Sequence, residues 1–329
     1  MARQFERLLR GPTVGHAASG MIRYTGTMEP DKPLHTVRDA LDWCNSVLEG
    51  SDAFYGHGTD NAWDDAVQLV LHALDLPIDA PESTLEASLP SSAREQLSDL
   101  LDKRAVDRLP VPYLTGRAWF AGLEFLCDDR ALVPRSPLAE VILNGFGPWY
   151  SGDGPHRILD VCCGGGSIGL AAAHYFPDAT VDLMDIDEDA LALARENAAH
   201  LGVASRVSIK QSNLLDALGQ ERYDIILSNP PYVDAEDLAS MPAEYHHEPA
   251  IGLASGADGL DATRNILATA GNHLTPDGVL FVEVGNSGEA LERAFPEVAF
   301  TWLEFEHGGH GVFTLSAREW QDYSAYFAR

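Results

Sequence analysis

Within twelve residues the chain changes its periodicity twice, and this constrains the fold more than any other feature. Ile158-Leu159-Asp160-Val161 reads as a buried strand, Cys162-Cys163-Gly164-Gly165-Gly166 as a tight turn of small residues, and Ser167-Ile168-Gly169 as the opening of a helix. The alternation then continues. Strands are predicted at 157–161, 180–184, 207–210, 224–228 and 279–284, with helices over 167–175, 187–201 and 260–273. The 224–228 run, Asp-Ile-Ile-Leu-Ser, is too apolar for a sheet edge. Two late strands, around 300–305 and 311–315, lie close enough in sequence to pair antiparallel. The pattern predicts a doubly wound α/β sheet with a hairpin at one edge.

Upstream the chain reads differently. Residues 1–33 scatter Gly, Pro and Thr with little period and predict a loose tail. From 34 to 111 the pattern is helical. Val37, Leu41, Cys44 and Leu48 share one face, with Gly50 as a stop. Trp63, Val67, Val70, Leu71 and Leu74 mark a second helix, closed by Pro77. Ser92-x-x-Glu95 has the form of a capping box opening a third, followed by Leu97, Leu100, Leu101 and Arg104. This segment holds no catalytic constellation, which suits a recognition or docking domain. Pro110 and Pro112 break the helical pattern, and residues 112–134 read as a linker. Within it, 118–127 and 130–133 alternate around Gly122 and Asp128-Asp129, predicting a short β-hairpin. Val133-Pro134-Arg135-Ser136-Pro137 leads into an apolar helix over 138–146, and 145–155 is a Gly/Pro/Asp-rich loop. The remaining domain spans 135–329.

Composition limits the partners. The 329 residues carry 22 Lys+Arg against 50 Asp+Glu, a formal net charge of −28. Such a surface repels a phosphate backbone, making nucleic acid a poor direct substrate, and attracts a basic protein. An acid-rich surface with only Lys32, Lys103 and Lys210 as lysines equally fits a salt-adapted proteome. No stretch of about 18 apolar residues occurs, so no membrane span is expected. The N-terminal residues 1–20 lack the apolar core of a secretory signal, and the expected location is the cytoplasm. Cys44, Cys127, Cys162 and Cys163 form no CxxC and read as reduced thiols.

The glycine turn sits where ligands of such sheets bind, outside the carboxyl ends of the strands. Its small residues allow close backbone approach, and Asp185, nineteen residues beyond Gly166, is placed to accept hydrogen bonds from ribose hydroxyls. Gly164-x-Gly166-x-x-Gly169 also fits a dinucleotide fingerprint, so an NAD-dependent oxidoreductase is a rival reading. Asp160 tilts the choice toward S-adenosyl-L-methionine. That cofactor's sulfonium and amino group favour carboxylates, whereas a pyrophosphate favours a bare helix N-terminus.

Asn229-Pro230-Pro231-Tyr232 follows the buried strand. Two prolines stiffen the backbone and remove two N–H donors, leaving carbonyls to face a ligand. The Asn229 side-chain oxygen and the Pro230 carbonyl could accept both N–H bonds of a planar amide or aromatic amine, positioning a nitrogen whose lone pair is otherwise delocalised. Tyr232 would pack over the planar group. The pairs His246-His247 and His307-x-x-His310 lack helical i, i+4 ligand spacing, so no metal site is expected. Loop 233–259 is expected to close over the substrate. Cys162 and Cys163 have no neighbouring base and read as turn residues, not nucleophiles.

With these residues the chain resembles the amino-methylating S-adenosylmethionine enzymes that carry an (Asn/Asp/Ser)-Pro-Pro-(Tyr/Phe/Trp) motif, and within them the protein-(glutamine-N5) methyltransferases. The resemblance covers roughly residues 34–316. It implies a small N-terminal helical domain, a β-hairpin linker and a seven-stranded Rossmann-like class I methyltransferase sheet. The release-factor branch has Pro-Arg-Pro-Glu-Thr-Glu after the hairpin. Pro134-Arg135-Ser136-Pro137-Leu138-Ala139-Glu140 looks instead like the branch acting on large-subunit ribosomal protein L-three. The same branch is suggested by Ile158 to Cys162, by Glu244-Tyr245-His246-His247-Glu248-Pro249, and by the run Trp302 to Gly311. The resemblance implies cofactor contacts along Cys162, Cys163, Gly164, Gly165 and Gly166, a ribose contact at Asp185, and a glutamine clamp at Asn229 to Tyr232. Where many relatives have Asp beside the adenine, this chain has Asn213-Leu214, whose amide can still hydrogen-bond the adenine amino group. Competing readings are a methyltransferase of class-I release factors, an adenine-amino nucleic-acid methyltransferase, and an idle assembly factor that keeps only the fold.

Overall fold

A computed structural model describes residues 29–328. The tail expected over 1–33 lies outside them apart from 29–33, as does the whole of 1–20. The described chain forms two units. One runs up to Gly116 and includes Pro242–His247, and the other comprises Arg117–Met241 and the chain from Glu248 onward.

The first unit is helical. Val37–Glu49 starts at a true capping box, in which the Thr36 hydroxyl accepts from the Asp39 amide and the Asp39 carboxylate accepts from the Thr36 amide. Its buried face is Val37, Ala40, Leu41, Cys44, Val47 and Leu48. Ala62–Ala73 is capped by Asn61. The capping box expected at Ser92 does not form. Ser91–Ala105 begins two residues before a Ser92 cap would place it, with Pro90 extended at the N-cap, so Ser92 already has helical backbone and cannot cap.

The apolar faces pack together, and three charged side chains, Asp65, Arg104 and Glu244, are buried with them. Arg104 donates to Asp65 (Nε, 2.7 Å), to Glu244 (Nη1, 2.9 Å) and to the Phe54 carbonyl (Nη2, 2.7 Å). Glu244, fully buried, also accepts from Arg108 (2.6 and 3.0 Å) and from the Phe54 amide (2.8 Å). Burial works to raise the Glu244 pKa, but the Arg108 guanidinium, the Phe54 amide and Arg104 outweigh it and hold the carboxyl below its usual range.

The second unit opens with the hairpin β1 (Arg117–Phe120) and β2 (Leu123–Leu126), turning at Ala121-Gly122. Residues 130–133 do not join it, contrary to expectation. The Asp128 carboxylate accepts from the Arg130 amide (3.1 Å) and its guanidinium (2.8 Å), and this side-chain turn leads the chain away from β2. The helix expected over 138–146 ends at Leu143.

Next come β3 (Arg157–Val161), β4 (Thr180–Asp185), β5 (Val207–Gln211), β6 (Tyr223–Ser228), β7 (Leu274–Glu283), β8 (Thr301–Trp302) and β9 (Val312–Ser316). They form one seven-stranded sheet in the order β5-β4-β3-β6-β7-β9-β8, parallel from β5 to β7, with β9 antiparallel between β7 and β8. Strand β7 starts five residues before the expected 279 because the chain crosses Pro276 in a register shift opposite Tyr223–Ile225, where a proline need not donate to the ladder.

Alternate residues of the inner strands feed two cores. Ile158, Leu183, Ile225 and Phe281 pack under helices Leu138–Leu143, Ser167–Tyr175 and Glu188–His200. Leu159, Met184, Ile226 and Leu280 pack under Asp261–Thr269, Gly288–Ala294 and Ala317–Phe327. This last helix was not expected, although Ser316-x-x-Glu319 is a genuine capping box and Trp320 and Phe327 bury one face.

Replacing Glu244 by Ala leaves two guanidinium groups without their shared carboxylate. It is expected to lower stability by about 3–5 kcal/mol in equilibrium urea unfolding.

Candidate active site

The parallel register lines up the carboxyl ends of the strands. Val161 of β3 pairs with Met184 of β4 and with Ser228 of β6, and Ser228 pairs with Val282 of β7. The residues that follow these strands therefore emerge in one row: Cys162–Gly166 after β3, Asp185 at the tip of β4, Asn229–Tyr232 after β6, and Glu283 at the tip of β7. The Ser228 hydroxyl donates to the Val161 carbonyl (2.8 Å) and clasps β6 to β3 where the ladder ends. Asn213 lies in the same row, just beyond β5.

The glycine turn reverses the chain through left-handed backbone at Cys162 (φ 61°), Gly164 (φ 53°) and Gly166 (φ 84°). Gly166 is the N-cap of helix Ser167–Tyr175. A Cβ there would lie 2.9 Å from Leu170 and 3.0 Å from Leu183, so both dihedral and space demand glycine. Cys162 adopts its left-handed conformation without that freedom, a local strain of the kind found at ligand sites. Burial pushes the Cys162 and Cys163 thiols well up, which keeps both protonated and matches their reading as turn residues.

Asp160 is fully buried. Its Oδ2 accepts from the Gly169 amide in the first turn of that helix (2.7 Å), and its Oδ1 is buried without a partner. Burial and the Asp185 charge raise its pKa, the Gly169 amide opposes them, and the result is about 8. A carboxyl thus takes one amide in the first turn of this helix, the end toward which a dinucleotide's pyrophosphate is drawn. The glycine spacing alone could not reveal this.

Asp185 ties the turn to β4. Its Oδ2 accepts from the Gly164 amide (2.8 Å) and its Oδ1 from the Asp187 amide (3.0 Å). Each carboxylate oxygen keeps a second lone pair, the capacity a pair of hydroxyls requires. Burial raises the Asp185 pKa and the amides of Asp187 and Gly164 oppose it. Asn213 stands exposed, its Nδ2 donating to Asp216 (3.1 Å).

At Asn229-Pro230-Pro231-Tyr232 the Asn229 Oδ1 is a buried acceptor without a partner. Pro230 is buried and Pro231 half-buried. The motif is braced from behind by residues that sequence reasoning missed. The Tyr232 hydroxyl donates to Glu283 Oε1 (3.0 Å), and Ser287 Oγ donates to the Tyr232 carbonyl (2.8 Å). Ser136 Oγ donates to Glu283 Oε2 (2.6 Å). A signal for Glu283 was present, since an acid ends the apolar run Val279-Leu280-Phe281-Val282 just as Asp185 ends β4.

Arg135 and Glu248 pair at 2.6 and 2.7 Å, and Glu248 also accepts from the Val133 amide (2.9 Å). Loop 233–259 is not one unstructured span. Val233 and Ala254 form a bridge, and 242–247 belongs to the helical unit. His310 contacts Asn286 (2.9 Å) and His247 the Asp107 carbonyl (2.8 Å). Among the described residues no His/Cys/Asp/Glu cluster could hold a metal ion.

This sheet order, a glycine turn after its central strand and Asn-Pro-Pro-Tyr after the neighbouring one define a methyltransferase of the Rossmann-like class. The family model for the methyltransferase small domain matches residues 152–244. A ribosomal protein uL3 glutamine methyltransferase of Francisella tularensis is 42% identical over 297 residues, covering 90% of this chain and 95% of that protein. One from Neisseria gonorrhoeae is 44% identical over 287 residues, covering 87% and 95%. The chain belongs to the ribosomal protein uL3 glutamine methyltransferase family.

Gly166→Ala combines a left-handed alanine with a crowded Cβ. It should lower stability by about 2–4 kcal/mol, read from denaturant midpoints.

Proposed function

We propose that the chain transfers a methyl group from S-adenosyl-L-methionine to the side-chain amide nitrogen of a glutamine in ribosomal protein uL3, large-subunit protein L-three. When bound, the cofactor supplies an electrophilic methyl group on a cationic sulfonium. Asp160, Cys162, Cys163, Gly164, Gly165, Gly166, Asp185, Asn213 and Asn229 are the residues that would hold it. The orphaned Oδ1 of Asp160 suits a cation, and the second lone pairs of Asp185 suit ribose hydroxyls.

The observation that carries the reaction is the buried, unpartnered Oδ1 of Asn229, one strand across from the glycine turn. With the Pro230 carbonyl it would accept both N–H bonds of a primary amide. That orients the nitrogen and polarises it as its lone pair leaves conjugation. Tyr232 would pack over the amide plane. The proton leaves after transfer, because a methylated, N-protonated amide is strongly acidic, so no base need act before attack. We assign residues 34–111 to substrate recognition, 112–134 to the linker and 135–329 to catalysis. The family membership supports uL3 as substrate. The charge of −28 suits a basic ribosomal protein made in the cytoplasm and disfavours a nucleic acid. No helix of the described residues is long and apolar enough to cross a membrane.

Purified protein, labelled methyl donor and either uL3 or a class-I release factor, followed by mass spectrometry, tests this. One methyl group on a glutamine of uL3 alone is expected. Label on the release factor would move the chain to the sister branch, and label on neither would overturn the reading. Asn229→Ala should cut kcat by at least about 100-fold while largely sparing cofactor affinity, measured by calorimetry.

Asp160 adds a pH dependence. Its carboxyl is neutral below a pKa of about 8 and ionised above it, and a cationic ligand favours the ionised form. Cofactor affinity is therefore expected to rise as pH increases from about 6.5 to about 8.5, with Asp160→Asn weakening binding and flattening the profile.

A further inference from the structure

We propose that Glu283 is a positioning residue that sets the ring of Tyr232 against the amide to be methylated, with Ser136 as its second support. The inference rests on the methyl-transfer reading, which gives Tyr232 the task of packing over that amide. Tyr232 is only half-buried, so packing alone does not fix its ring. Three contacts do. Its hydroxyl donates to Glu283 Oε1 (3.0 Å). Its carbonyl accepts from Ser287 Oγ (2.8 Å). Along its edge runs Gly285, where φ is 46° and a Cβ would lie 2.5 Å from the ring Cε2 and 2.9 Å from Cζ.

Glu283 is itself held in place. Ser136 Oγ donates to its Oε2 (2.6 Å) and accepts from the Leu138 amide (3.2 Å). Register puts Glu283 beside Asn229, because the residues before them, Val282 and Ser228, are paired. A buried carboxylate whose hydrogen-bond donors are two uncharged hydroxyls, with only the more distant Arg135 charge beside them, is a costly way to fill a strand end. What the carboxylate adds is two acceptors in one plane, which join the segment at Ser136 to the phenol at the site. A ring so held keeps its partner amide near the attack geometry, where small displacements cost large factors in rate.

A kinetic double-mutant cycle on the full chain, with labelled methyl donor and purified uL3, tests this. In Glu283→Gln only one side-chain oxygen can accept, and the longer bond, from the Tyr232 hydroxyl (3.0 Å against 2.6 Å from Ser136), is the one lost. Glu283→Gln and Tyr232→Phe should each lower kcat by about tenfold, with KM for the methyl donor unchanged within about twofold. The double variant should fall no further than either single one, because both remove the same hydrogen bond. Ser136→Ala, which does not touch Tyr232, should lower kcat by about threefold, and that loss should vanish when Tyr232→Phe is already present. This milder variant carries the test if Glu283→Gln fails to fold. Full activity of Glu283→Gln, losses that add fully to those of Tyr232→Phe, or a weakened methyl-donor KM at unchanged kcat would overturn the inference while wild-type activity on uL3 stands. A wild-type protein inactive on uL3 would overturn the underlying reading and the inference together.

Discussion

The parallel pairing of β3 with β6 is the constraint on which the site depends. Val161 faces Ser228, and the serine hydroxyl closes the ladder on the Val161 carbonyl at 2.8 Å. Because the two strands point the same way, the glycine turn and the Asn-Pro-Pro-Tyr motif leave the sheet side by side, although 67 residues separate Val161 from Ser228 in sequence. A slip of one residue would turn every side chain of β6 to the opposite face and send Ile226 and Leu227 into each other's cores. The apolar packing on both faces is therefore also what holds Asn229 opposite the turn.

Along the same row the sheet carries a second pattern. Carboxyl groups stand at or near the tips of β3, β4 and β7, in Asp160, Asp185 and Glu283. Burial raises the pKa of each. The fold answers each one differently. Asp185 receives two backbone amides, Glu283 two hydroxyls, and Asp160 a single helix amide, with one oxygen left over. Acids retained at such cost suit a ligand that brings positive charge and hydroxyl groups, and they oppose a pyrophosphate. The acid at the start of helix Ser167–Tyr175 is a feature that no count of glycines could reveal.

The elements whose reasons are local could be read from the residues alone. Strands β3 and β6 and the helix Ser167–Tyr175 were legible because period and turn chemistry agree there. Asn229-Pro230-Pro231-Tyr232 was legible as a stiff turn at the carboxyl edge of the sheet because two prolines after a buried strand admit few backbone paths. Local signals failed where a neighbour outweighed them, as when Pro90 took the N-cap from the Ser92 motif and Asp128 turned the chain before 130–133 could join the hairpin. The bracing of the site by Glu283, Ser136 and Ser287 was beyond reach, since Ser136 and Glu283 lie 147 residues apart and meet only through the sheet. The same holds for Arg104, which the helical period assigned to a face but which is buried on Asp65 and Glu244, the latter 140 residues away. Residue types and spacings encode which backbone paths are open. The partner of a buried polar group is settled only when folding removes water and leaves one donor or acceptor within reach.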